Sequence, residues 1–238
     1  SAFGGNANYV GKLTISGGEF KHASDTQEMI VDHYDESNKG NAVVTGGKFD
    51  ADISKYIPTD YVQSADGTVE KLGETNAVAK VGDTYYKTLA DAVAAAQDGD
   101  TITLLKDAEL TSTLNLAKNI TIDGQGKYTI KAANSFTVGS DNKTYCVLYV
   151  SGEVTLKDVT VNGNEKCRVI FCDKGKLTID GATITNGKAP DFIGGVYMTS
   201  SASFEMKSGS ITGNKNAKGY QNDEYPVSYT HLRAHETR

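Results

Sequence analysis

Three segments of the chain repeat one pattern, and that repetition limits the fold more than any single motif does. Val154–Asn164 (VTLKDVTVNGN), Leu177–Gly187 (LTIDGATITNG) and Phe204–Asn214 (FEMKSGSITGN) follow one another at intervals of 23 and 27 residues. A fourth copy, Ile120–Ile130, lies upstream, and Ile102–Leu105 begins 18 residues before it. Each of the three copies is preceded by a short apolar run: Val147–Val150, Val169–Cys172 and Val196–Thr199. Apolar residues alternate with Thr, Lys or Asp, and Gly, Asn or Asp then interrupts, which is the signal of short strands separated by turns. One such repeat cannot bury its own faces. Stacked copies bury a continuous core, which is the logic of a solenoid. No repeat has a 3.6-residue pattern and none has a leucine-rich consensus, so the expected fold class is all-β, a parallel β-helix.

The one segment with helical character is residues 89–97, LADAVAAAQ. Thr88 is placed as its N-cap, Asp91 stands at the capping-box position, and Gly99 follows its end. Leu89, Val93 and Ala96 share a face, so this helix is expected to cover the open apolar end of a solenoid. Before it, Leu13–Phe20 and Val43–Phe49 share a strand-[Ser/Thr]-Gly-Gly-x-Phe pattern 29 residues apart. They read as the last turns of an upstream solenoid, with residues 51–72 (Tyr56, Tyr61 and the Ala65-Asp66-Gly67 turn) closing it. The expected organisation is residues 1–72 as one truncated unit, 73–78 as linker, and 79–225 as a second.

Residues 226–238 break with the rest, holding two of three Arg and two of four His. Val227–Thr237 resembles the in-frame translation of a transposase sequencing adaptor, which implies an artefact at the end of a metagenomic reading frame. His231 and His235 are therefore set aside as an H-x₃-H metal pair. The chain has 24 Lys plus Arg against 30 Asp plus Glu. Without the two Arg and one Glu of the tail the balance moves from −6 to −7. An acidic chain disfavours nucleic acid as a partner. There is no apolar run of about 18 residues, so no membrane insertion and no signal peptide is expected from this segment.

Residues 79–105 (AKVGDTYYKTLADAVAAAQDGDTITLL) resemble the start of a pectin-lyase-like right-handed β-helix domain of large bacterial surface proteins. Thr45–Tyr56 resembles the closing segment of a preceding domain of that kind. The resemblance spans roughly residues 10–220. It implies a right-handed solenoid, export, and display on the bacterial cell surface. Activity stays open, because that fold hosts lyases, hydrolases, adhesins and inert stalks.

Two constellations carry chemistry. For hydrolysis, two carboxylates must flank a bond about 5 to 9.5 Å apart, and stacked strands lie about 4.7–4.9 Å apart. Asp123 and Asp180 follow equivalent strands, and Asp158 lies one position later in the copy between. The competing reading is Asp-Gly turn chemistry. Arg168 is the sole arginine outside the tail, with no Asp cluster near it in sequence. The Asn-Thr-Asp, Asp-Asp and Gly-His-Gly signatures of related polygalacturonases are absent, and His22 and His33 fall in the first unit.

For binding, Tyr149, Phe171 and Tyr197 recur at intervals of 22 and 26 residues and are expected to form a ladder suited to sugars. The adjoining column Leu148, Ile170 and Val196 is apolar too. One of these columns faces the core and the other is covered or a binding patch; period-2 parity leaves the choice open. Cys146 and Cys167 fall near equivalent positions, open to a disulfide or to service as small buried hydrophobes. Cys172 aligns with Val150 and Met198. Asn162, Asn164, Asn186 and Asn214 are expected to form an amide ladder at a turn. The loop 133–144, with Asp141 and Asn142, is a weak calcium option; no metal or other cofactor is assigned. The expected function is a non-catalytic stalk or adhesin-like module that contacts host or dietary glycans. The alternative is a polysaccharide lyase or glycoside hydrolase.

Overall fold

A computed structural model describes residues 13–21, 42–190 and 193–216, and the backbone of 227–228. The described residues are mostly β, with parallel sheets and one α-helix. The chain divides into two units at Ala77/Val78, with residues 85–87 grouped with the first.

In the first unit β1 (Leu13–Phe20) and β2 (Ala42–Phe49) run parallel, from Leu13 opposite Ala42 to Phe20 opposite Phe49. The register shifts at the paired glycines, where Gly18 and Gly47 take φ values of 108° and 107°. Gly46 meets a second constraint. A Cβ there would lie 2.3 Å from the Ser16 carbonyl oxygen, whereas Gly17 has open space around it. The matched registers bring the Phe20 and Phe49 rings into a stack 4.7 Å apart at 5°. β3 (Tyr61–Gln63) and β4 (Thr68–Lys71) form an antiparallel hairpin, and β4 pairs antiparallel with β2. Asp66 fixes the turn, accepting from the Thr68 amide (3.0 Å) and hydroxyl (2.9 Å). Ala42, Val44, Phe49, Ile53 and Val69 form the small core.

The second unit opens with β5 (Ala79–Val81), β6 (Thr84–Tyr86), which straddles the division, and α1 (Leu89–Ala95). Thr88 caps α1, its Oγ1 accepting from the Asp91 amide (3.0 Å) and donating to the Asp91 carboxylate (2.7 Å). Leu89, Ala92 and Val93 are buried. The helix stops two residues short of the expected end at Gln97. Ala96 turns out at ψ 148°, and the Lys118 ammonium holds the Val93, Ala94 and Ala96 carbonyls at 3.2, 2.7 and 2.5 Å. A cation on the last carbonyls is a favourable terminus, and Lys118 comes from 22 residues beyond Ala96.

Strands then follow in groups of three: β7 (Thr101–Leu104), β8 (Ala108–Leu110) and β9 (Leu114–Leu116); β10 (Ile120–Asp123), β11 (Thr129–Ala132) and β12 (Cys146–Val150). The next are β13 (Glu153–Lys157), β14 (Thr160–Asn162) and β15 (Arg168–Cys172), then β16 (Gly175–Thr185), β17 (Lys188–Ala189), β18 (Val196–Met198), β19 (Ala202–Thr212) and β20 (Lys215–Asn216). All but β17 and β20, which pair parallel with each other, assemble into three parallel columns. The first is β7, β10, β13 and the leading halves of β16 and β19; the second is β8, β11, β14 and their trailing halves. The third is β9, β12, β15 and β18, next to which the backbone of β21 (Val227–Ser228) also runs parallel. The rest of the tail lies outside the described residues, as do His22 and His33.

The registers convert sequence alternation into stacks of like residues. Ile102, Ile122, Leu156 and Ile179 sit side by side, as do Ile130, Val161 and Ile184, and Leu148, Ile170 and Val196, all with no exposed surface. Each such side chain contributes about 1.5–3 kcal/mol of hydrophobic burial. Register shifts after Leu156 and Ile179 mark the corners, where Asp158 adopts φ 45°. The asparagines serve these corners differently from a continuous amide ladder. Asn214 donates to the Ile184 and Thr212 carbonyls and accepts from the Gly187 amide, while Asn164 donates to the Ala132 carbonyl and the Asn134 amide oxygen. They bind backbone more than each other, which satisfies turn groups that no strand partner reaches.

Candidate functional site

The register places Tyr149, Phe171 and Tyr197 side by side on β12, β15 and β18. Their neighbours Leu148, Ile170 and Val196 are the core column, so the aromatics occupy the opposite face of the sheet. Tyr149 and Tyr197 are half-buried, and Phe171 between them is 4% exposed. The rings stack on one another, Tyr149 on Phe171 at 5.9 Å and 18°, Phe171 on Tyr197 at 5.3 Å and 28°. Stacking of this kind consumes ring faces and leaves edges outward.

The end faces carry cations. The Arg168 guanidinium lies 4.8 Å from the Tyr197 ring centre and 5.8 Å from that of Phe171, and the Lys143 ammonium lies 5.6 Å from that of Tyr149. Cations over ring faces are attracted by the ring quadrupole. Arg168 is 1% exposed, donating from Nε to the Ile193 carbonyl (3.1 Å) and from an Nη to the Asn142 side chain (3.4 Å). The Tyr149 hydroxyl donates to Asp173 (3.0 Å), which also pairs with Lys143 (3.4 Å). Burial, then the neighbouring Asp173, pushes the Tyr149 phenol up; Tyr149 and Asp173 together push Lys143 up. Sequence reading found the three rings and missed this cover. Its one signal was Arg168 itself, a lone arginine opening an apolar strand.

Loop 133–144 supplies part of that cover, and its side chains are engaged. The Asp141 carboxylate accepts from the Thr144 hydroxyl (2.8 Å) and amide (2.9 Å), which hold it below the usual range, and Asn142 accepts from Arg168. These bonds occupy one Asp141 oxygen and the Asn142 side-chain oxygen. Among the described residues, no group of three or more His, Cys, Asp or Glu is placed to hold a metal ion.

The three aspartates lie on successive strand ends but are interleaved with lysine. Asp123 stands opposite Lys157 in register and pairs with its ammonium at 2.8 Å, while its other oxygen accepts from the Gln125 amide. Asp180 stands opposite Ser208, which donates to it at 3.5 Å, and Lys207 lies 3.9 Å away. Asp158 is a corner residue whose amide donates to the Asp180 carbonyl (2.9 Å). Asp123, first and most strongly, raises the pKa of Lys157, with smaller contributions from Asp158 and Asp180. A carboxylic acid that donates a proton needs apolar or like-charged surroundings, and this lysine supplies the opposite.

All three cysteines are buried free thiols. Cys146 stands opposite Arg168, and Cys167 falls just before β15, so the equivalence that suggested a disulfide is off by one position. Cys172 does align with Val150 and Met198. Burial pushes each thiol up to about 12, far from the lowered value of a reactive cysteine.

Among the described residues no helix is long and apolar enough to cross a membrane. Comparisons with known protein families, with curated proteins and with solved structures each gave no match.

Proposed function

We propose that the chain is a non-catalytic repeat module of a bacterial cell-surface protein, its second unit a right-handed parallel β-helix of the pectin-lyase-like kind. The observation that carries this reading is the engagement of two of the three candidate catalytic carboxylates, and of the aromatic column, by their own neighbours. Asp123 is paired with Lys157, Asp180 with Ser208 and Lys207, and the aromatic column with Arg168, Lys143 and Asp173. Three columns that each gain one strand per repeat suit a stalk, which lengthens by adding copies.

The lyase or hydrolase reading is weaker on the same ground, since lysines beside Asp123 and Asp180 oppose acid catalysis. In an adhesin-like role, contact with host or dietary glycans falls on Tyr149 and Tyr197, through ring edges and hydroxyls. The test is incubation of the folded chain with acidic and neutral polysaccharides. No new reducing or unsaturated ends are expected, and steady release of either, abolished by Asp123→Asn or Asp180→Asn, overturns the non-catalytic reading.

A further inference from the structure

A different face of the second unit carries a groove that the stalk reading does not use. Thr121, Thr155 and Thr178 are direct register neighbours on β10, β13 and β16, and Thr101 on β7 precedes them in the same row. They point away from the core, since Ile122, Leu156 and Ile179 beside them point in. These three threonines form the floor of a cavity of about 200 Å³. Asn119, Glu153 and Lys176 line its sides.

Thr178 is only 6% exposed, yet its hydroxyl has no hydrogen-bond partner among the described residues. No wholly buried side-chain oxygen or nitrogen of the described residues lacks a partner. The Thr178 oxygen therefore opens into the groove. Thr121 and Thr155 make no side-chain hydrogen bond among the described residues either, unlike Thr113, Thr144 and Thr199, whose hydroxyls are engaged. Deep polar groups are ordinarily paired, so a row of unpaired hydroxyls ending in a deep one is the arrangement of a site awaiting polar atoms.

The chemistry of the lining narrows the ligand. Each hydroxyl donates one hydrogen bond and accepts others, and the row repeats at the strand spacing of about 4.8 Å. The rim carries one acid, Glu153, and one base, Lys176, which is itself ion-paired with Glu205. With Lys176 committed to Glu205, the Glu153 carboxylate leaves the rim negative, which disfavours an anionic ligand. No aromatic ring lines the cavity, and its volume is below the roughly 300–1,000 Å³ of sites for drug-sized apolar ligands. We infer that the Thr121/Thr155/Thr178 groove binds a linear, uncharged polysaccharide, seating one sugar ring over Thr155 and Thr178 with the chain running along the threonine row. Asn119 is held in place by accepting from the Glu153 amide (3.0 Å), which leaves its amide hydrogens for a ligand hydroxyl.

The experiment is native electrophoresis of the whole 238-residue chain in gels containing hydroxyethylcellulose, galactomannan or laminarin, followed by calorimetric titration with the hexasaccharide of whichever retards it. Thr155→Val combined with Thr178→Val removes two hydroxyls while keeping β-branched shape, so the strands are retained; a circular dichroism melt verifies this. Retardation by at least one gel and weakening by about tenfold in the double variant are expected, from two lost hydrogen bonds. Thr160→Val, on another column, leaves the affinity unchanged. The inference is overturned if no neutral polysaccharide retards the folded chain, or if the double variant binds as tightly as the original. Loss of binding in Tyr149→Leu with the double variant unaffected overturns it too, and moves the contact to the aromatic column.

Discussion

β1 and β2 carry closely similar octapeptides, LTISGGEF and AVVTGGKF, and occupy different environments. β2 lies between β1 and β4, and its Ala42, Val44 and Phe49 are buried. β1 has a partner on one side among the described residues, and its Leu13, Ile15 and Phe20 are only half-buried. The second unit repeats the contrast between β16, flanked on both sides, and β19, paired among the described residues with β16 alone. Ile179 has no exposed surface; Met206, its register partner on β19, is 43% exposed. Pattern alone does not bury a strand in this architecture. Neighbours on both sides do, as nearest-neighbour stability in repeat proteins requires.

The largest expected effect comes from deleting an inner aromatic. Phe49→Ala empties the centre of a five-residue core and costs about 3–5 kcal/mol, enough to unfold the first unit. Phe20→Ala, its stacked but half-exposed partner, costs well under half as much. Denaturant melts of the two variants measure the difference, and equal losses would break the comparison between inner and edge strands.

Next in size is a contrast between the units. All three cysteines lie in the second. Their folded pKa near 12 stands above the unfolded value, so their stabilising contribution is present below about pH 8.5 and is lost as pH rises towards 12. Between pH 7.5 and 9.5 the second unit should lose on the order of 1 kcal/mol per thiol. Tyr149 and Lys143, also raised, extend the loss above about pH 10. Hydrogen exchange at the two pH values, corrected for its intrinsic rate, should show protection falling in β12 and β15 but not in β2.

Much of this was readable beforehand. The repeat interval gave the strands, and alternation gave the buried column Ile122/Leu156/Ile179. Thr88 and Asp91 marked the helix start. What escaped was whatever depends on residues far apart in sequence. Both columns of β12, β15 and β18 read as apolar, so which one faced inward was settled by Arg168, Lys143 and Asp173 gathering over the rings. Likewise Lys157 meets Asp123 in direct register, but a shift at the next corner sets it opposite Gly181 rather than Asp180, and spacing does not reveal that shift. The helix end depended on Lys118.

Smaller again is the effect of the paired glycines. Gly46→Ala drives a methyl to 2.3 Å from the Ser16 carbonyl oxygen and costs about 1–3 kcal/mol of strain. Gly17→Ala, at the equivalent place in β1, meets nothing and is neutral or stabilising by up to about 1 kcal/mol. Thermal melts of the two variants give opposite signs if β1 has open space where β2 has a neighbour. Destabilisation by both would mean that another strand lies against β1.

The smallest expected change sharpens the contrast at the far end of the stack. Met206→Thr exchanges a 43% exposed side chain for a good strand former on an edge, and should fall within about 0.5 kcal/mol of the original. Ile179→Thr, at the register-equivalent position one strand inward, places a hydroxyl where nothing is exposed and should cost about 2 kcal/mol or more. The two substitutions insert the same residue into the same column, so their difference measures the second neighbour directly. If Met206→Thr proves as costly as Ile179→Thr, β19 has a covering strand in solution, and the edge moves beyond it.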